Sequence, residues 1–108
     1  MAELPAAVRE AFSATNEGDL DRFVAAFAAD GVVDDWGREF RGREAIAEWS
    51  SEESIGVKQT FVLIEVRELG EDIVVKADVG GGGFNGLSTF TFRLSPDGET
   101  IQRMTITA

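Results

Sequence analysis

The chain has 108 residues with 20 acidic against 10 basic side chains, a net charge of −10. That length is one domain, and that charge repels phosphate backbones and anionic lipid, so neither nucleic acid nor a membrane is expected as a partner. The absence of Cys, His and Tyr excludes disulfides, thiolate chemistry, Ser-His-Asp and Cys-His arrangements, and the nitrogen and sulfur ligands that zinc usually takes.

Proton transfer is therefore left to the carboxylates and to Lys58 and Lys76, and neither a metal nor an organic cofactor is expected. The opening stretch MAELPAAVREAF carries Glu3 and no apolar run of signal length. No later window approaches about 20 apolar residues, so a soluble, cytoplasmic chain is expected.

Leu4 to about Asn16 is predicted as a helix: Pro5 suits a first turn, and Val8 and Phe12 share a face at i,i+4. After the break NEGD, Asp19 is placed to cap a second helix. Its Leu20, Phe23, Val24 and Phe27 fall at i, i+3, i+4 and i+7, with Gly31 as a left-handed end. VVDDWG and REFRG read as two short extended pieces broken at Gly37. Gly42 precedes a third helix with Ile46 and Trp49 on one side and Glu44 and Glu48 on another.

The second half reads as strands: Lys58 to Leu69, Asp72 to Val79, Leu87 to Leu94 and Ile101 to Thr107. LGED and SPDGE are hairpin-type connections, and GGGGFNG is a longer, looser one. In TFVLIEV, Phe61 and Leu63 are expected to point one way and Val62, Ile64 and Val66 the other, so both faces are apolar. A central strand covered by helices on one side accounts for part of this. A second subunit on the other side accounts for the rest, so a homodimer through the sheet is expected. Helices followed by strands give an α+β domain in which a curled sheet closed by helices leaves a cavity at its open end.

The order of elements, with NEGDLDRFVAAFAADGVVDDWG, GREAIAEW and FRLSPDGETIQRMTI, resembles the SnoaL-like proteins of the nuclear transport factor 2 superfamily. The resemblance spans nearly the whole chain. It implies one SnoaL-like domain over residues 1–108: a cone-shaped, curved antiparallel sheet wrapped around about three N-terminal helices, with a deep pocket. The superfamily includes ketosteroid isomerases, polyketide cyclases, dehydratases, epoxide hydrolases and proteins that only bind. Matching FAADGVVDDWG to the isomerase pattern puts Asp35 where those enzymes carry a general base. Their two oxyanion donors would fall at Ala11 and Phe90, neither of which can donate a hydrogen bond, so steroid isomerisation is not expected.

Neighbouring side chains on a strand point to opposite faces, so Asp34 and Asp35 cannot share one cavity without a bulge. The resemblance selects Asp35 for the pocket and leaves Asp34 and Trp36 to the convex side or rim. A carboxylate among aromatic rings is a better general base than one in water. The alternatives are an Asp pair that only solvates an edge strand, or an Asp35 paired with Arg38, Arg41 or Arg43. Phe12, Phe27, Trp49, Phe61 and Phe90, with Asp34 and Trp36, are the candidate ligand contacts. Aromatic side chains at these spacings also serve simply as core.

Two readings stand: cofactor-independent acid/base chemistry by Asp35 on a small, mostly apolar molecule, or a non-catalytic ligand-binding or dimeric interaction module. An Asp35 already paired with arginine would favour binding; an unpaired one facing an apolar cavity would favour catalysis.

Overall fold

The computed structural model describes residues 3–108. Helix α1 (Ala6–Glu17) follows Pro5, which stands at the N-cap, and buries one face through Val8, Ala11, Phe12 and Thr15. It ends where Gly18 turns left-handed and returns its N–H to the carbonyls of Ala14 and Thr15. Helix α2 (Leu20–Ala25) is capped by the Asp19 side chain, which accepts from the Arg22 amide.

Here the chain departs from its helical periodicity. Helix α2 stops at Ala25 and strand β1 (Phe27–Asp35) begins at Phe27. The Ile101 amide donates to the Ala26 carbonyl at 2.9 Å, and Phe27 pairs with Ile101. A distant strand has captured the last turn of the predicted helix. Gly31 is no helix end: it lies within β1, where an added Cβ would stand 3.0 Å from the Ile101 carbonyl oxygen.

Strand β2 (Arg38–Arg41) returns antiparallel to β1 across a turn at Trp36 and Gly37, both at positive φ. Helix α3 (Arg43–Glu53) follows, with Ile46 and Trp49 buried and Glu44 and Glu48 exposed. A single 3₁₀ turn, Ile55–Val57, then leads into four strands: β3 (Thr60–Leu69), β4 (Asp72–Gly80), β5 (Gly86–Leu94) and β6 (Ile101–Thr107). β3 starts two residues later than predicted because Lys58 turns left-handed after the 3₁₀ turn.

The six strands form one sheet in the order β2-β1-β6-β5-β4-β3. Every neighbouring pair is antiparallel except β1–β6, which is parallel where an antiparallel sheet was expected. β2 and β3 are the two edges and do not pair, so the curved sheet stays open. Its inner face packs on the three helices. Phe12 of α1 sits edge-on to Phe61, Phe90 and Phe92, with ring centroids 5.3, 5.4 and 5.5 Å away.

β3 is therefore an edge strand, not the central strand expected from its two apolar faces. Its edge is protected locally: the Asn16 side chain accepts from the Phe61 amide at 2.7 Å and donates to the Phe61 carbonyl at 3.1 Å, as a neighbouring strand would. The register of β3 slips between Leu63 and Glu65, leaving Ile64 as the extra residue of a bulge. The slip returns Val66 to the inner face with Phe61 and Leu63, opposite Val75, where it is buried. Only Val62 and Ile64 remain outside, 67% and 47% exposed. Val62 stands opposite Asp78, which stands opposite the exposed Leu87 of β5.

Candidate functional site

Between the helices and the concave face lies a cavity of about 410 Å³. This is within the range of small-molecule sites and is room for roughly a dozen waters. Helices α1 and α2 supply Ala11, Phe12, Thr15 and Phe23, and the sheet supplies Phe61, Val79, Ser88, Phe90 and Met104 among others. The mouth is formed by Asp35 and Trp36 at the end of β1, by Trp49, Glu52 and Glu53 of α3, and by Gln59 and Phe84.

Asp35 is the only charged residue of β1 that lines the cavity, and its side chain is 16% exposed. Strand alternation places it there: it shares the inner side with Val33, while Asp34 turns outward. One carboxylate oxygen, Oδ2, accepts from the Trp49 indole Nε1–H at 3.1 Å and from Arg38 Nη2 at 2.7 Å. The other, Oδ1, has no hydrogen-bond partner among the described residues and is not sealed from solvent. Arg38 also reaches Glu53 at 2.6 Å. Glu53 first, and Asp35 second, raise the guanidinium above its ordinary pKa, so it stays charged. The alternative in which Asp35 pairs with an arginine is thus the one realised, with Arg38. Arg43 is turned elsewhere, donating through Nε and Nη2 to the Phe27 carbonyl.

Of the sequence-predicted contacts, Phe12, Trp36, Trp49, Phe61 and Phe90 line the cavity. Phe27 and Asp34 do not. Phe27 is fully buried against Phe23, because its transfer from helix to strand turns it into the core. Asp34 faces the convex side, where it accepts from Arg103 Nη2 and from the Gly37 amide, both at 2.8 Å. Trp36 would share that side by alternation, but its φ of +54° swings it out of the strand and over the mouth.

The loop read from GGGGFNG is a rim loop. An added Cβ on Gly81 would meet the Lys58 carbonyl oxygen at 2.2 Å, so only glycine lets the loop pack there. The buried Gln59 amide donates to the Phe84 carbonyl at 3.0 Å and fixes the Phe84 end of the loop beside the cavity. Sequence reasoning missed Gln59, Ser88 and Glu53. Ser88 was within reach of it, since it alternates with Phe90 and Phe92 on one face of β5. Gln59 and Glu53 carried no such signal.

Ala11 and Phe90, the positions where the resemblance would put oxyanion donors, both line the cavity and present a methyl group and a phenyl ring. Among the described residues, no group of three His, Cys, Asp or Glu is placed to hold a metal ion. No described helix is long and apolar enough to cross a membrane.

Fold and site together define an open α+β cone with an internal, mostly apolar cavity and a fixed carboxylate at its mouth. The chain belongs to the SnoaL-like domain family, whose model matches residues 8–105. Its fold neighbours include nuclear transport factor 2-like and ketosteroid isomerase-like proteins. It is similar to a candidate polyketide cyclase from Sinorhizobium meliloti, with 28% identity, 96% of this chain and 95% of that one covered, and a TM-score of 0.82. The epoxide hydrolase/cyclase-like enzyme SalBIII, of pyran ring formation in the polyether salinomycin, shares the fold at 21% identity, with coverage of 93% and 85% and a TM-score of 0.79. So does the orange carotenoid protein of Anabaena (Nostoc), bound to canthaxanthin, at 19% identity, with 97% of this chain and 36% of that one covered and a TM-score of 0.82. No protein of curated function matches the sequence.

Proposed function

We propose that this chain binds a small, mostly apolar molecule in the cavity, with Asp35 as the polar anchor. The observation that carries the proposal is the state of Asp35. Oδ2 is already committed to Trp49 and Arg38, while Oδ1 has no hydrogen-bond partner among the described residues and stands at the mouth of a cavity lined mainly by rings and aliphatic groups. A pinned carboxylate is a good fixed acceptor for a ligand donor. The lack of a donor at Ala11 and Phe90 points the same way, since enolate chemistry depends above all on donors that stabilise the developing oxyanion.

Both tryptophans of the chain line the cavity and there is no tyrosine, so intrinsic fluorescence reports on the site alone. Titration with 4-phenylbutan-1-ol is expected to change the emission saturably. Ala11→Phe, which fills the cavity from α1, is expected to abolish the change. A linear response, or saturation undiminished by Ala11→Phe, would overturn the proposal.

The second reading is proton transfer or water activation by Asp35, and the unpartnered Oδ1 is what favours it. Its relatives in fold include proteins with cyclase and epoxide hydrolase/cyclase names. Enolisable ketones, lactones and epoxides are to be turned over by the wild type and not by Asp35→Asn; equal rates remove Asp35 from any mechanism.

A further inference from the structure

We infer that the preferred ligand is a protonated amine carried on an apolar body. The inference rests on the binding reading above and names the chemistry of the ligand's polar end. It starts from an asymmetry of charge. Among the described residues, the charged ones that line the cavity are Asp35, Glu52 and Glu53, all anionic, and no lysine or arginine lines it.

Arg38 offsets part of that charge from beside the mouth by bridging Asp35 and Glu53. Three carboxylates against one guanidinium leave an excess of negative charge there, within a chain whose net charge is −10. A cation is drawn to such a mouth and an anion is turned away.

The walls agree with the charge. Trp36 and Trp49 line the cavity with Asp35, as do Phe12, Phe61 and Phe90, and an aromatic ring face attracts a cation and repels an anion. Asp35 Oδ1 is an acceptor without a protein donor among the described residues.

A second set of polar atoms lines the cavity, independent of the acidic residues. Ser88 is 4% exposed, lines the cavity, and its hydroxyl makes no hydrogen bond among the described residues. Gln59, 6% exposed, donates one amide N–H to the Phe84 carbonyl, and its Oε1 has no hydrogen-bond partner among the described residues. An ammonium group carries up to three donors and no acceptor, which matches a carboxylate oxygen and an amide oxygen with no donor of their own. A carboxylate or phosphate ligand would find those acceptors opposed to it, with the Ser88 hydroxyl and the second N–H of the Gln59 amide as the donors among these three groups.

The experiment compares three probes of nearly equal size at pH 7: 4-phenylbutylamine, 4-phenylbutan-1-ol and 4-phenylbutanoate, titrated by calorimetry and by tryptophan emission. The amine is expected to bind about tenfold or more tightly than the alcohol, because hydrogen bonds with one charged partner are roughly twice as strong as neutral ones and here both partners are charged. The carboxylate is expected to bind more weakly than the alcohol.

Asp35→Asn is expected to bring the amine to within about threefold of the alcohol, because it weakens the amine more than the alcohol. Glu52→Gln, at the exposed end of α3, keeps the test open if Asp35→Asn does not fold; it is expected to lower the amine's advantage in part. Equal binding of amine and alcohol, or preferred binding of the carboxylate, overturns the inference and leaves an apolar pocket standing. Failure of all three probes to saturate overturns the inference and the binding reading together.

Discussion

Replacing Trp49 by Phe tests whether the site's carboxylate is held by the core. The indole Nε1–H lies 3.1 Å from Asp35 Oδ2, and the ring is buried against Phe23 and Phe40, with centroids 6.3 and 6.2 Å away. A hydrogen bond to a charged acceptor contributes about 1.5–3 kcal/mol. Oδ2 keeps Arg38 at 2.7 Å after the change, so no buried charge is orphaned and the lower figure, about 1.5 kcal/mol, applies. The missing pyrrole part of the ring adds about 1–2 kcal/mol in lost contact and void. The sum is about 3 kcal/mol, which for a domain of this size lowers Tm by roughly 12 °C.

Thermal unfolding followed by circular dichroism measures the total. A double-mutant cycle with Asp35→Ala isolates the pair and is expected to return a coupling of about 1.5 kcal/mol. A coupling below about 0.5 kcal/mol, the scatter of independent sites, would refute the claim that Trp49 fixes Asp35.

Asn16→Ala leaves the Phe61 amide and carbonyl of the β3 edge without their clasp. A loss of about 1–2 kcal/mol is expected in chemical denaturation, with faster hydrogen exchange at the Phe61 amide; unchanged exchange there would mean the clasp does not form in solution. If Val62 and Ile64 bury against a second copy, Val62→Glu with Ile64→Glu converts a dimer to a monomer in sedimentation velocity, whereas a wild type that already sediments as a monomer removes the sheet-mediated dimer.

The last prediction concerns pH. Glu10 and Glu17 are held below the ordinary 4.5, Glu10 chiefly by Arg22, and Glu17 by the Ser13 hydroxyl and then Arg22. Carboxylates depressed in the folded state stabilise it fully above their unfolded pKa, and that stability is lost as pH falls through the lower folded values. The drop in Tm between pH 6 and pH 3 is therefore expected to be smaller in Arg22→Gln than in the wild type at low salt, and the difference is expected to shrink at about 0.5 M NaCl because both groups are exposed. Parallel curves at low salt would contradict the assignment.

What could be read along the chain was what neighbours in sequence decide. The apolar spacing of α1 and α3, the Asp19 cap, the hairpin turns and the alternation that sends Asp34 and Asp35 to opposite faces all follow from local geometry, and each appears in the structure; that Asp35 is the inner one was implied by the resemblance alone. The resemblance carried by those elements led to the SnoaL-like family.

What only the tertiary structure decided depends on partners far away in the chain. Phe27 has a helical spacing, yet Ile101, more than 70 positions on, takes its backbone into the sheet and its side chain into the core. Val66 changes face because β4 pairs with β3 across a bulge at Ile64, and a bulge leaves no mark in an alternating apolar run. The state of Asp35 was open for the same reason. Three arginines stood within eight residues of it, but the choice of Arg38, and the joining of Trp49 and Glu53 from another element, required α3 to lie across the end of β1. Periodicity reports which face a residue prefers; only the closed set of long-range contacts fixes what that face meets.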